Sequence, residues 1–190
     1  NLSPITKQDF SLSEIQDAPQ NDIDISAYEI EDTHTLVIFN GHLQNAKSSL
    51  GNGVKLMSGL EYLAHKNGDF TQAKNTPFDL LNTAFMDSGM AIVVKKNMTI
   101  KKAIHILFIS SGAKSLMLSP RIHIDLGIAS SLSIVEHHAG DSESSFQNES
   151  VFVSIGKNAK LDHVRIQSNL NTVSNMANIH VQQEDDSHYS

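Results

Sequence analysis

Three apolar pairs recur along the second half of the 190-residue chain, each with one residue between its two members. Ile92 and Val94 are followed by Ile100, Ile124 and Leu126 by Leu132, and Val153 and Ile155 by Leu161, in each case six residues after the second member. An alternating apolar pair is a strand signature, because successive strand side chains point to opposite faces. The constant gap that follows implies a turn leading into a second strand. The unit returns after roughly 30 residues, a period that marks solenoids and stacked arrays. Gly127 and Gly156 stand just after the second apolar residue of their units. The pattern therefore predicts stacked β rungs over residues 90–190. Ile92, Val94, Ile100, Ile124, Leu126, Leu132, Val153, Ile155 and Leu161 would form ladders inside the stack.

Composition narrows the function classes. Charged residues make up 18% of the chain and apolar residues 39%, which fits a folded body rather than a disordered chain. The net charge of -7 disfavours a phosphate backbone as partner, because basic patches supply nucleic-acid affinity. Lys95, Lys96, Lys101, Lys102 and Lys114 are read as charges that protect strand edges. Cysteine is absent, which excludes disulfides, thiolate metal sites and cysteine nucleophiles contributed by this chain. With no leader and no apolar run approaching the roughly 20 residues of a membrane helix, the expectation is a cytoplasmic protein without a membrane partner. Neither end looks natural, so the chain reads as a fragment.

In chain order, residues 1–26 read as an irregular lead-in and residues 27–89 as a small α/β region. Ala27 to Ile30 and Thr35 to Asn40 are β-favouring runs that suggest a hairpin ending at Gly41. The run Leu36-Val37-Ile38-Phe39 is apolar on both faces and needs a cover, expected to be the helix that follows. Met57 to Lys66 is that helix, with Met57, Leu60 and Ala64 on one face and an end at Asn67-Gly68. A second helix starts with Thr76 as cap, Pro77 in the first helical position and Asp79 in the first turn. Its face of Phe78, Leu81 and Phe85 is assigned to capping the open end of the stack. At the other end, Asn178-Ile179-His180-Val181 begins a further rung that stays unfinished, and its open edge predicts pairing with more chain, with a partner or with a second copy.

Motifs for chemistry are sparse. Of the ten histidines, His137, His138, His163, His180 and His188 fall in the repeat region. No His-x-His with a following glutamate marks a jelly-roll metal site, so no metal ligand is assigned and the histidines are expected to be exposed or hydrogen-bonded. No Gly-x-Ser-x-Gly elbow singles out a serine nucleophile. Gly51-Asn52-Gly53 reads as a plain turn, and the Asn97 and Asn148 glycosylation patterns as chance. No catalytic residue is assigned.

Taken together, Leu36-Val37-Ile38-Phe39-Asn40-Gly41, Phe78-x-x-Leu81-Asn82-x-Ala84, Leu107-Phe108-Ile109-Ser110, Pro120-Arg121, Ile134-Val135-Glu136, Leu161-x-His163 and Asp186-Ser187-x-Tyr189 resemble the SufB/SufD family of iron–sulfur cluster assembly scaffolds. The resemblance runs from about Leu36 onward. One departure is Ala103-Ile104, where the family often has Pro-Ile. His137 and His138 follow Glu136 where the SufB branch typically carries a cysteine, and the Asn40-Gly41 hairpin is closer to the SufD branch.

The resemblance implies a mainly β chain: a right-handed parallel β-helix preceded by a small α/β region. It implies a non-enzymatic scaffold that pairs with a SufB-like paralogue and engages a SufC-like ATPase. An iron–sulfur cluster would be a transient guest of the whole complex, with no cofactor assigned to this segment. The family's interfacial histidine lies later in the β-helix and is not carried over. From the residues alone, two other readings stay open: a carbohydrate-active β-helix lyase or esterase, and a passive binding solenoid. The first needs clustered acids and aromatic platforms. Only 6% of residues are aromatic, Trp is absent, and Tyr28, Tyr62 and Tyr189 are scattered.

Overall fold

The computed structural model describes residues 9, 11–12, 24–44, 50–66, 76–85, 89–112, 115–140, 142, 145–168 and 173–190. In chain order these form β1 (Ser11–Leu12), a 3-10 turn (Ser26–Tyr28), β2 (Thr33–Phe39), β3 (His42–Leu43), β4 (Val54–Ser58), α1 (Gly59–His65), α2 (Pro77–Phe85), β5 (Gly89–Val94) and β6 (Ala103–Ser110). They continue as β7 (Leu116–Leu118), β8 (Arg121–Leu126), β9 (Ser131–Gly140), β10 (Ser145–Ile155), β11 (Lys160–Gln167), β12 (Val173–Gln183) and β13 (His188–Tyr189).

The strands stack into a parallel β-helix of about 3 turns. One wall is built from β5, β8, β10 and β12 in parallel, closed at its first edge by antiparallel β4. The other runs in parallel through β2, β6, β9, β11 and β13. Each rung passes from the first wall to the second through a short corner. The register places Ile92, Ile124, Val153 and Val181 in one column and Val94, Leu126 and Ile155 in the next.

Corner chemistry explains the repeat. One residue per corner takes a left-handed conformation: Asn97 (φ 60°), Ala129 (φ 53°), Asn158 (φ 58°) and Asp186 (φ 56°). Asn and Asp tolerate that conformation because their short polar side chains bond locally. Gly127 N donates to Val94 O at 2.9 Å and Gly156 N to Leu126 O at 2.8 Å, so each corner is hydrogen-bonded to the one before it. A Cβ on Gly127 would lie 2.6 Å from Lys96 N, and one on Gly156 2.9 Å from Ile128 N. Only glycine allows the corner backbones to approach this closely.

The core lies between the walls. Ile92, Val94, Ile124, Leu126, Leu132, Val153, Ile155 and Leu161 are buried in one cluster, and Ile100 is half-buried against it. Completely burying one such aliphatic side chain stabilises by about 1.5–3 kcal/mol, so these columns are a main source of the stack's stability.

The first half of the chain departs from the sequence expectations in three places. The hairpin does not join 27–30 to 35–40. Residues 26–28 form a 3-10 turn, and β2 instead turns back into β3 through Asn40 (φ 45°) and Gly41 (φ 88°), the positive-φ pair a two-residue hairpin requires. The cover for β2 is not a helix. Leu36 and Ile38 enter the core, while Val37 and Phe39 pack with Ile25 and Tyr28 on Leu107, Ile109 and Ala139.

The first helix starts at Gly59, because Ser58 caps it through a reciprocal capping box with Glu61. Met57 therefore belongs to β4, Leu60 is exposed, and the buried helical residues are Tyr62 and Leu63. Asn67 and Gly68 lie outside the described residues.

Helix α2 starts as the sequence suggests. Asp79 N bonds Thr76 Oγ1 at 3.2 Å, and that hydroxyl donates to Asp79 Oδ2 at 2.6 Å. It does not close the end of the stack, however. It lies on the outer face of the first wall against β10 and β12. Its buried residues are the polar Asp79 and Asn82, whereas Phe78 and Leu81 are half-buried and Phe85 is exposed. Phe78 packs edge-on to Phe146, with ring centroids 6.4 Å apart. The helix is held by hydrogen bonds more than by the apolar face that its spacing advertises.

Candidate functional site

Strand alternation alone determines what enters the interior. On β9 the inward positions continue from Leu132 and Ile134 to Glu136 and His138, and on β10 they run back from Ile155, Val153 and Val151 to Glu149 and Gln147. On β11 they pass from Leu161 to His163 and Arg165. The two walls therefore bring their polar residues together inside the last rungs, where Glu136 pairs in register with Arg165.

Glu136 and Glu149 are completely buried and His138 is 1% exposed. Arg165 spans the two carboxylates: Nη1 donates to Glu136 Oε2 at 3.0 Å and Nη2 to Glu149 Oε2 at 2.7 Å. The same Nη2 reaches Asn175 Oδ1 at 3.3 Å, and Asn175 Nδ2 donates to Gln147 Oε1 at 3.2 Å. His163 places Nε2 3.0 Å from Glu136 Oε1, and its Nδ1 lies 3.0 Å from the Tyr189 hydroxyl. The His138 ring stacks on Phe108, with centroids 4.4 Å apart and planes 2° from parallel. Its Nε2 sits 3.5 Å from Glu149 Oε2 and 4.0 Å from Glu136 Oε2.

Charge is unevenly shared between the carboxyls. Burial pushes Glu149 upward, and the neighbouring Glu136 charge adds to the rise. Burial acts on Glu136 in the same sense, but contacts from His138, His163 and Arg165 overcome it and hold that carboxyl below its ordinary range. Glu136 is thus the ionised member, and Glu149 is the member readier to take a proton. Glu136, His138 and Glu149 each offer a donor atom, and these atoms all lie within 4.8 Å of one another. Iron–sulfur clusters are usually held by cysteine thiolates, which this chain lacks. The oxygen and nitrogen donors fit a single cation or a stored proton better than a cluster.

A second polar network lies outside the first wall. Asn82 Nδ2 donates to Pro120 O at 3.0 Å and Asn148 O at 2.7 Å, and its Oδ1 accepts from Arg121 Nε at 2.9 Å. His180 Nε2 lies 2.9 Å from Asp79 Oδ1. The rings of Tyr62, His123, Phe152 and His180 form a continuous stack across the rungs. This network attaches the helices to the wall.

Spacing between histidines gave no hint of the interior group, and the expectation of exposed or hydrogen-bonded histidines is corrected for His138. It is buried, and neither ring nitrogen makes a hydrogen bond. The available signal was parity. Glu136, His138, Glu149, His163 and Arg165 share the inward parity of the apolar ladder residues on their own strands.

Residues 108–190 match the family model for the SUF system FeS cluster assembly, SufBD core domain. The match supports the SufB/SufD family. It begins within β6 and takes in every member of the interior polar group. No curated protein matches the chain. Among the described residues, no helix is long and apolar enough to cross a membrane.

Proposed function

We propose that this protein is a non-catalytic scaffold subunit of a cytoplasmic iron–sulfur cluster assembly complex. It belongs to the SufD branch and works with a SufB-like paralogue and a SufC-like ATPase. The observation that carries the reading is the match of residues 108–190 to the SufBD core domain over a stretch that folds as stacked parallel rungs. The branch assignment draws support from His137 and His138 after Glu136 and from the lack of cysteine.

Partner pairing draws support from the outermost strands. Val164 (53% exposed), Ile166 (37%), Ile179 (40%) and Val181 (38%) present apolar side chains there. The assigned roles follow from the same picture. Ile92, Val94, Ile100, Ile124, Leu126, Leu132, Val153, Ile155 and Leu161 keep the rungs in register, while Phe78, Leu81 and Phe85 sit on the outer helix.

The carbohydrate-active reading gains nothing. The stacked outer rings cover one another beneath the helices, and the paired glutamates are sealed in the interior. The test is to isolate the native protein from its source cells and identify the proteins that co-purify by mass spectrometry. A SufB-like paralogue and a SufC-like ATPase in fixed ratio are expected. Recovery without either, or turnover of a polysaccharide by the pure protein, overturns the proposal.

A further inference from the structure

We propose that Glu136, His138 and Glu149 form a binding site for one divalent transition-metal ion, and that Arg165 is the removable cation that closes this site in the metal-free protein. Four observations on this chain lead there, none of them dependent on the assembly reading.

The first is unmet polar capacity. Glu149 Oε1 and both ring nitrogens of His138 are buried and make no hydrogen bond, while Glu136 Oε1 faces His163 Nε2 at 3.0 Å. Buried polar groups in folded proteins are almost always paired, so an unpartnered imidazole beside an unpartnered carboxylate oxygen calls for a ligand. The second is donor spacing. With metal–ligand bonds of about 2.1 Å, donors at the corners of a tetrahedron stand about 3.4 Å apart. His138 Nε2 stands 3.5 Å from one carboxylate oxygen and 4.0 Å from the other, so a small inward movement completes the geometry.

The third is donor type. Imidazole with two carboxylates suits Fe²⁺, Mn²⁺, Co²⁺ or Zn²⁺, whereas Ca²⁺ and Mg²⁺ favour all-oxygen cages. The supporting groups resemble those around metal ligands elsewhere: Phe108 fixes the plane of the His138 ring, and His163, itself held by Tyr189, lies beside Glu136.

The fourth is the position of Arg165. Its guanidinium already supplies positive charge to the same two Oε2 atoms, so a metal ion and Arg165 compete for them. The Arg165 side chain is 19% exposed while the carboxylates it bridges are sealed. Withdrawal of Arg165 toward solvent opens the donors without disturbing the ladders beneath.

The test is an anaerobic titration of the protein with Co²⁺, followed by its visible ligand-field absorption, with Mn²⁺ as a second probe read by electron paramagnetic resonance. One equivalent of Co²⁺ should bind, with a spectrum reporting low coordination and a nitrogen donor. Arg165→Gln should tighten binding by at least about tenfold, and Glu149→Gln and His138→Gln should each weaken it by at least about tenfold. Thermal unfolding checks that each variant is folded. If Arg165→Gln is not, the wild-type spectrum decides alone, because an all-oxygen hexaaquo-like spectrum places the ion elsewhere. Absence of a bound equivalent in the wild type and in Arg165→Gln overturns the inference, as does affinity unchanged by Glu149→Gln and His138→Gln. Neither result touches partner capture, so this inference and the scaffold reading fail separately.

Discussion

His123 sits in the stack on the outer wall, 4.7 Å from the Tyr62 ring and 5.1 Å from Phe152. Burial, reinforced by the nearby Arg121 charge, lowers its pKa from 6.5 to about 4. His105 is lowered to about 4 as well, by burial and then by His137. The sign follows from proton counting. Between the two values the unfolded chain binds a proton that the folded protein refuses, so stability falls as pH drops from about 6.5 toward about 4. For a shift of this size each imidazole removes about 2 kcal/mol between about pH 7 and about pH 5, from a linkage limit on the order of 3 kcal/mol.

His123→Phe keeps an aromatic ring in the stack and deletes the titration. Urea unfolding of both proteins at the two pH values should show the wild type losing about 2 kcal/mol more than the variant. Comparing the two proteins cancels the opposing contribution of Glu149, whose raised pKa favours the folded state as pH falls. Equal losses in wild type and variant would refute the claim that a neutral, buried His123 governs acid sensitivity.

Three further outcomes are expected. Leu126→Ala and Ile155→Ala, each 1% exposed in the interior columns, should each cost about 2–5 kcal/mol in urea unfolding. Ala129→Asn should raise stability by about 1 kcal/mol, because Ala129 is exposed and held at φ 53° where the neighbouring corners use Asn97 and Asn158; an unchanged urea midpoint would remove the corner argument. Arg165→Ala should cost the metal-free protein about 3–5 kcal/mol, because it strands two buried carboxylates, and a loss near zero by the same measurement would mean that they relax to solvent.

The sequence made the stack legible because its ladder residues are purely apolar and repeat with their corners. Ile124 and Leu126 with Gly127 directly behind would suit many β folds, and it is the return of the same pattern at Val153, Ile155 and Gly156 that points to stacked rungs. The polar interior was hidden by residue type. Glu136 and Glu149 look like surface residues, and only their parity with Ile134 and Val151 reveals that they point inward. Helix α2 misled for the opposite reason: Phe78, Leu81 and Phe85 form an apolar stripe, yet Asn82 and Asp79 are the buried residues. Hydrogen bonds to Pro120, Asn148, Ser150 and His180 over-ride hydrophobic spacing there, and no local pattern announces such distant partners.

The hydrogen-bonded corners also determine where the chain tolerates change in length. From Val94 to Leu126, from Leu126 to Ile155 and from Ile155 to Gln183 the interval shortens at each step, yet every corner carries its left-handed residue three positions after the strand. Thr99 pairs with Ser131 but Ile104 with Ile134, so the first rung takes up two extra residues where β6 begins, and the remaining variation is absorbed on the opposite side, where the second wall returns to the first. One residue inserted into a corner would slip the register and turn the following strand inside out. A whole loop grafted between β9 and β10 would leave each rung aligned with its neighbours, making that side the place to attach a reporter or a second domain.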